Sequence, residues 1–257
     1  MSFIRTLTAA IATVSCSFSA TSSMADDILL FSDNSLTVLQ GGNFKVTGNK
    51  AAAYTLEHAS GWSFGNLFMF FDYLDYYDNP NQGSSWYGEV SPNLSLTKTG
   101  LVPLSDNSLF GDFSIAGNYE RGRGGTEALL LGLGTSLKLD GFAFFNVNLY
   151  ARKDTSLGAG FEDMQATISW RRPFIIGDQN FVIDGFTDYV FGWGPKNANW
   201  HFVPQIKWDL GKAINVRPGK LWLGTEVDLW TNKFGIKSSD SFKTNQLAAS
   251  FLLKVHF

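Results

Sequence analysis

Cysteine is nearly absent from this chain of 257 residues: the single one, Cys16, lies upstream of the first acidic residues, Asp26 and Asp27. One thiol can form no internal disulfide and no thiolate metal site. Long apolar runs are missing too. Nothing approaches the roughly 18 consecutive apolar residues of a membrane-spanning helix, and mean hydropathy is near neutral at -0.03. Charge is sparse, with Asp, Glu, Lys and Arg at 17%, against about 25% in ordinary soluble domains. No Gly-rich phosphate loop or metal cluster can be read, so no cofactor is expected. The net charge of -3 gives no basic patch for nucleic acid.

Aromatics and glycine are abundant instead: 23 Phe, 8 Trp and 26 Gly. The N-terminal stretch has the form of a secretory signal peptide. Arg5 is its one charge, a modest apolar segment runs from Leu7 to Val14, and Ser23-Met24-Ala25 offers small residues around a cleavage point after Ala25. Residues 1–25 are expected to be removed and residues 26–257 to form one domain. Loss of Arg5 takes the net charge from -3 to -4. Thr13-Val14-Ser15 before Cys16 is a poor match to a lipid-attachment site.

The far end carries the sharpest pattern. Phe257, Val255, Leu253, Phe251, Ala249 and Leu247 alternate with His256, Lys254, Leu252, Ser250, Ala248 and Gln246. Strand side chains alternate faces with a period of two. One apolar and one wetter face ending on an aromatic is the form of the closing strand of a transmembrane β-barrel. The terminal aromatic resembles the signal read by the bacterial outer-membrane barrel assembly machinery, which is an expected partner alongside outer-membrane lipid.

Period-two segments fall at about 35–46, 53–61, 64–74, 86–98, 109–120, 126–139, 142–152, 161–172, 181–191, 200–209, 221–230 and 246–257. The expected fold is therefore an all-β, 12-stranded antiparallel transmembrane barrel, working as a monomer in the bacterial outer membrane. Asp140-Gly141 reads as a two-residue hairpin turn. The polar stretches 75–85, 121–125, 153–160 and 232–244 read as outer loops, while 97–108 and 211–220 are long for the opposite rim.

This parity turns many ionisable groups inward: Glu57, Asp72, Glu89, Asp112, Glu120, Asp163, Asp184, Asp188, Asp209, Glu226 and Asp228 against Lys138, Arg152, Arg171, Lys207 and Lys254. Buried charge is costly unless paired or hydrated, so the interior reads as an aqueous channel or a salt-bridged plug. Phe68, Phe70, Tyr87, Tyr150 and Phe186 also face inward. Flat rings beside carboxylates suit stacking and hydrogen bonding to a flat, hydroxylated solute. The expected solute-binding wall is Glu57, Phe68, Phe70, Asp72, Glu89, Tyr150, Arg152, Phe186 and Asp188.

The run 129–154, through Gly132-Leu133-Gly134-Thr135 and Asn148-Leu149-Tyr150-Ala151, resembles the central hairpin of the Tsx-type nucleoside-specific outer-membrane channels. Glu89, Pro92, Ser95 and Lys98 resemble that family's Glu-x-x-Pro-x-x-Ser strand, and Leu56-Glu57 and Gly185-Phe186-Thr187 match in order. The resemblance covers most of 54–194 and the final strand; the first strand and 195–245 depart from it. It implies a narrow twelve-stranded channel passing nucleosides or similar small solutes by diffusion. The alternatives are a general small-solute porin and a structural or adhesive, phage-receptor-like barrel. An acidic-oligosaccharide channel needs tracks of inward Arg and Lys, and acids prevail here. No enzyme is expected: lipid hydrolysis needs Ser and His on the outer wall, His58 is the one outward His, and no Ser–His–acid arrangement can be read locally.

Overall fold

The computed structural model describes residues 28–78, 83–158 and 160–257. The expected signal peptide lies outside the described residues, as do small parts of two expected outer loops. Twelve strands follow one another: β1 (Leu29–Gly42), β2 (Lys50–Trp62), β3 (Gly65–Asp75), β4 (Ser84–Ser95), β5 (Phe110–Gly122), β6 (Glu127–Leu137), β7 (Phe144–Asp154), β8 (Asp163–Ile176), β9 (Gln179–Val190), β10 (Asn199–Asp209), β11 (Leu221–Thr231) and β12 (Gln246–His256). Each pairs antiparallel with its neighbours, and β1 pairs with β12 from Ser35↔His256 to Gly42↔Ala249, closing the barrel. Closure leaves no edge strand, so backbone groups are satisfied within the wall, as hydrocarbon requires.

Alternation decides which way each strand faces. In β12, Phe251 is 74% exposed and Leu252 only 2%. The same parity puts Leu129, Leu131 and Leu133 of β6 outside and buries Leu130. A one-residue slip would turn Glu120, Arg152 and Lys254 into lipid, so the register is pinned by its penalty. Inward glycines bring β6 and β7 close: a Cβ on Gly132 would lie 1.9 Å from Leu149 O and 2.7 Å from Tyr150 Cα.

The outer face has an aliphatic belt between two aromatic girdles. Near one rim stand Trp62–Phe64, Phe110–Phe113, Phe142–Phe145 and Phe174–Phe181, with ring separations of 6.0, 5.0, 5.5 and 5.4 Å. Near the other stand Tyr54–Tyr73, Phe71–Trp86 and Tyr189–Phe191 at 6.5, 6.1 and 5.0 Å. Amphipathic rings at both interfaces around an apolar band are the exterior of an outer-membrane barrel. No helix among the described residues is long and apolar enough to cross a membrane, and the strands do the crossing.

Several expected boundaries move. β1 starts at Leu29 rather than 35 and stops at Gly42 rather than 46. Its first residues run beyond β12 and pair only with β2, with an irregularity between Leu29 and Phe31 that spoils the alternation. It ends where Asn43 and Val46 take left-handed φ of 71° and 76°. β8 continues through Pro173 to Ile176. Asp140-Gly141 is the centre of a β-turn closed by the Phe142 N–H donating to Leu139 O at 3.1 Å, but the connection spans 138–143 rather than two residues. Asp209 does not stand free on the lumen wall. Its carboxylate accepts from the Lys212 and Gly219 N–H groups at 3.0 and 2.9 Å and so ties down the one-turn helix α1 (Leu210–Ala213).

Candidate functional site

The lumen is built by neighbouring strands contributing inward residues in register. Ser35, Glu57, Phe70, Glu89 and Glu120 are consecutive partners across β1 to β5. Thr55, Asp72 and Tyr87 form the adjacent row across β2 to β4. Opposite lie Thr167, Asp188, His201 and Trp230, consecutive partners from β8 to β11.

Two aromatic groups therefore face each other, six strands apart. On β3 and β4, Phe68, Phe70 and Tyr87 form a strip with centroids 6.1 and 5.9 Å apart. Phe68 keeps 39% of its surface exposed. On β9 to β11, Phe186 meets the His201 ring edge-on at 5.2 Å and His201 stacks on Trp230 at 3.7 Å. The His201 ring is fixed further by Asp228, whose Oδ1 is 3.1 Å from Nε2.

The inward bases are engaged. Arg152 makes a bidentate pair with Glu120 at 2.6 and 2.7 Å, the strong geometry for guanidinium and carboxylate. Arg171 and Lys207 share Asp184 at 2.9 and 2.6 Å, and Lys254 pairs with Glu57. Other carboxylates are held by neutral donors. Thr55 donates to Asp72 at 2.6 Å, Tyr87 and Asn118 donate to Glu89 at 2.7 and 2.9 Å, Thr167 donates to Asp188 at 2.5 Å, and Gln205 donates to Glu226 at 2.7 Å. One or two hydrogen bonds fill only part of a carboxyl group's acceptor positions, so these groups retain acceptor capacity toward the lumen.

The nine residues expected from sequence are distributed unevenly. Glu57, Phe68, Phe70, Asp72 and Glu89 come together on β2 to β4. Phe186 and Asp188 stand on the opposing wall. Tyr150 and Arg152 lie between, and Tyr150 is only 3% exposed, packed in a cluster with Ala116, Ala128 and Leu130. Asn118, Gln165, His201 and Trp230 were not among the expected residues. Gln165 accepts from Arg152 at 2.7 Å and donates to Thr167 at 3.1 Å. Parity alone turns all four inward; neutral side chains simply carry a weaker signal than charges.

One further cation sits above the lumen, outside the strands. Lys233 is buried within 5.7 Å of the Trp230 ring and 5.3 Å of the Phe234 ring and donates to Gln246 at 2.7 Å. Burial lowers its ammonium from 10.5 to about 8, against the pull of Asp228.

Closed twelve-strand topology, apolar exterior and polar interior define an outer-membrane β-barrel. Among solved structures the chain is similar to the NanC porin, with a TM-score of 0.51 and 11% identity over 86% of this chain and 98% of that one. It also matches the KdgM porin in complex with oligogalacturonate, at a TM-score of 0.47 and 9% identity over 87% of this chain and 98% of that one. A third match is OccK11 of Pseudomonas aeruginosa, at 0.39 and 9% over 90% and 97%. The NanC likeness supports the fold alone. A scan against protein-family models finds no match, and a search of curated sequences finds none.

Proposed function

We propose that the barrel is a passive channel for small, neutral, flat and hydroxylated solutes, with nucleosides as the preferred class. The observation that carries this reading is the Phe68–Phe70–Tyr87 strip flanked by carboxylates held by neutral donors. A base can stack on the rings, each such contact being worth about 1–3 kcal/mol. The ribose hydroxyls and base amines can donate to Asp72 and Glu89. Arg152 and Lys254 each pair with an acid, and Arg171 and Lys207 share Asp184, so an anionic chain would find no open basic track and would meet a wall on which acids outnumber bases. The assembly machinery and lipid would be its partners, and the single chain encloses its own lumen, in keeping with a monomer.

A structural or adhesive barrel is the second reading. It is favoured by the buried cluster of Ala116, Ala128, Leu130 and Tyr150 and by the Arg152–Glu120 bridge, which knit one side of the interior.

Uptake into liposomes containing the refolded protein separates the two. A channel of the proposed kind admits adenosine faster than glucose and excludes a galacturonate oligomer, and Phe70→Ala narrows the adenosine advantage by about tenfold, the equivalent of one lost stacking contact. Equal uptake of adenosine and glucose would leave a general pore. No uptake of either would favour the structural barrel.

A further inference from the structure

The outer wall carries a polar group that the channel does not use. Asn34 of β1 and His58 and Ser60 of β2 all face outward, Asn34 directly opposite His58. Their neighbours on the same face are Leu36, Leu56, Leu67 and Met69. The His58 ring is held at both ends: Nδ1 is 2.9 Å from Asn34 Oδ1 and Nε2 is 3.1 Å from Ser60 Oγ. Trp62 Nε1 donates to the same Ser60 Oγ at 3.0 Å.

The donor and acceptor inventory fixes the protons. The Asn34 oxygen can only accept, so Nδ1 carries the hydrogen and Nε2 is left as a base. The indole can only donate, so it fills a Ser60 lone pair and the hydroxyl hydrogen turns to His58 Nε2. This is the hydroxyl–imidazole–orienting-group constellation of nucleophilic acyl transfer, recognised by geometry rather than by sequence order. The other two histidines lack it: His201 pairs with Asp228 under Trp230, and His256 Nδ1 lies 2.6 Å from Asp33 Oδ2.

We propose that Asn34, His58 and Ser60 form a lipid-facing esterase site whose substrate is a membrane glycerophospholipid. Ser60 Oγ attacks an acyl ester carbonyl while its proton passes to His58 Nε2. The bond from the carbonyl carbon to the glycerol oxygen breaks, and that oxygen takes the proton, leaving a lysophospholipid and an acyl-Ser60. Water then attacks the acyl carbon, gives its proton to His58, and releases a fatty acid as the Ser60 oxygen regains a proton. Asn34 is a positioning residue that holds the productive tautomer. The ester lies in the wall's own solvent, so no pocket has to be cut for it. Lys98, whose ammonium donates to Trp62 O at 3.1 Å, stands where it can attract the headgroup phosphate. Ser60 is only 1% exposed, so the ester reaches Oγ when the Trp62 side chain swings aside, which makes Trp62 the gate.

The test uses the refolded full-length mature chain in mixed micelles with a fluorogenic diacyl phosphatidylcholine, together with a fluorophosphonate probe for reactive serine. Native protein should release fatty acid and take up the probe on Ser60, and Trp62→Ala should raise both. Ser60→Ala and His58→Ala should each lower release by about 100-fold or more, with the heat-modifiable folded band and the solute uptake unchanged. Asn34→Ala should lower kcat with little change in KM, and Asn34→Asp should restore it. Release that persists in Ser60→Ala would overturn the proposal. So would the absence of release and of adduct in both the native protein and Trp62→Ala. Solute uptake is read separately, so failure here leaves the channel reading standing.

Discussion

Glu57 and His58 are neighbours in sequence and live in different solvents. Glu57 points into the lumen, paired with Lys254 and accepting from Ser35 at 2.9 Å. His58 points to lipid, its ring closed off by Asn34 and Ser60. Inside, formal charge is tolerated because opposite charges and neutral donors surround it, as in the Arg152–Glu120 and Arg171–Asp184–Lys207 groups. Outside, polar groups survive by satisfying one another locally. One strand thus serves two chemistries, and a period of two separates them.

Breaking the interior side of the comparison should have the largest effect. Glu120→Ala leaves Arg152 buried without its bidentate partner, and breaking such a pair costs about 3–5 kcal/mol. Denaturant unfolding from lipid vesicles measures this, and the double variant Glu120→Ala with Arg152→Met should recover most of the loss. Breaking the exterior comes next. Phe251→Arg puts a charge where the side chain now meets lipid, at a cost of about 2–4 kcal/mol toward the bilayer midplane; a matched Ser250→Arg, facing the lumen, should cost less.

The smallest effect sharpens the comparison at the loop rim. Lys233 titrates near 8 in the folded protein, below its ordinary 10.5, so between these values the unfolded chain binds more protons. Stability should rise with pH from about 8 to 10.5 and be lower by the full cost of burying the charge below 8. Lys233→Met should flatten that rise in unfolding curves taken across the window.

The barrel was legible because lipid and water enforce alternation on almost every strand, and β12 could be read residue by residue. Boundaries failed where that pressure stops. The Leu29–Asn34 end of β1 overhangs β12, and its register against β2 is irregular between Leu29 and Phe31. This one error also hid the outer polar group: His58 was correctly turned outward, but with β1 expected from residue 35, Asn34 belonged to no strand and no partner could be assigned to the ring. The lumen acids were readable by parity. Their partners were not, since Asn118, Gln165 and Gln205 meet charges through register. Asp209 misled for a similar reason, because a carboxylate that caps a turn has the same parity as one that lines a channel.

Single-channel conductance of the refolded protein in a planar bilayer, titrated first with adenosine and then with glucose, tests the central claim most directly. A small conductance blocked by adenosine and indifferent to glucose, with the block weakened in Phe68→Ala and Phe70→Ala, is the predicted result. Conductance that ignores adenosine, or a silent bilayer, would contradict the assignment of the aromatic and carboxylate strip as a solute path.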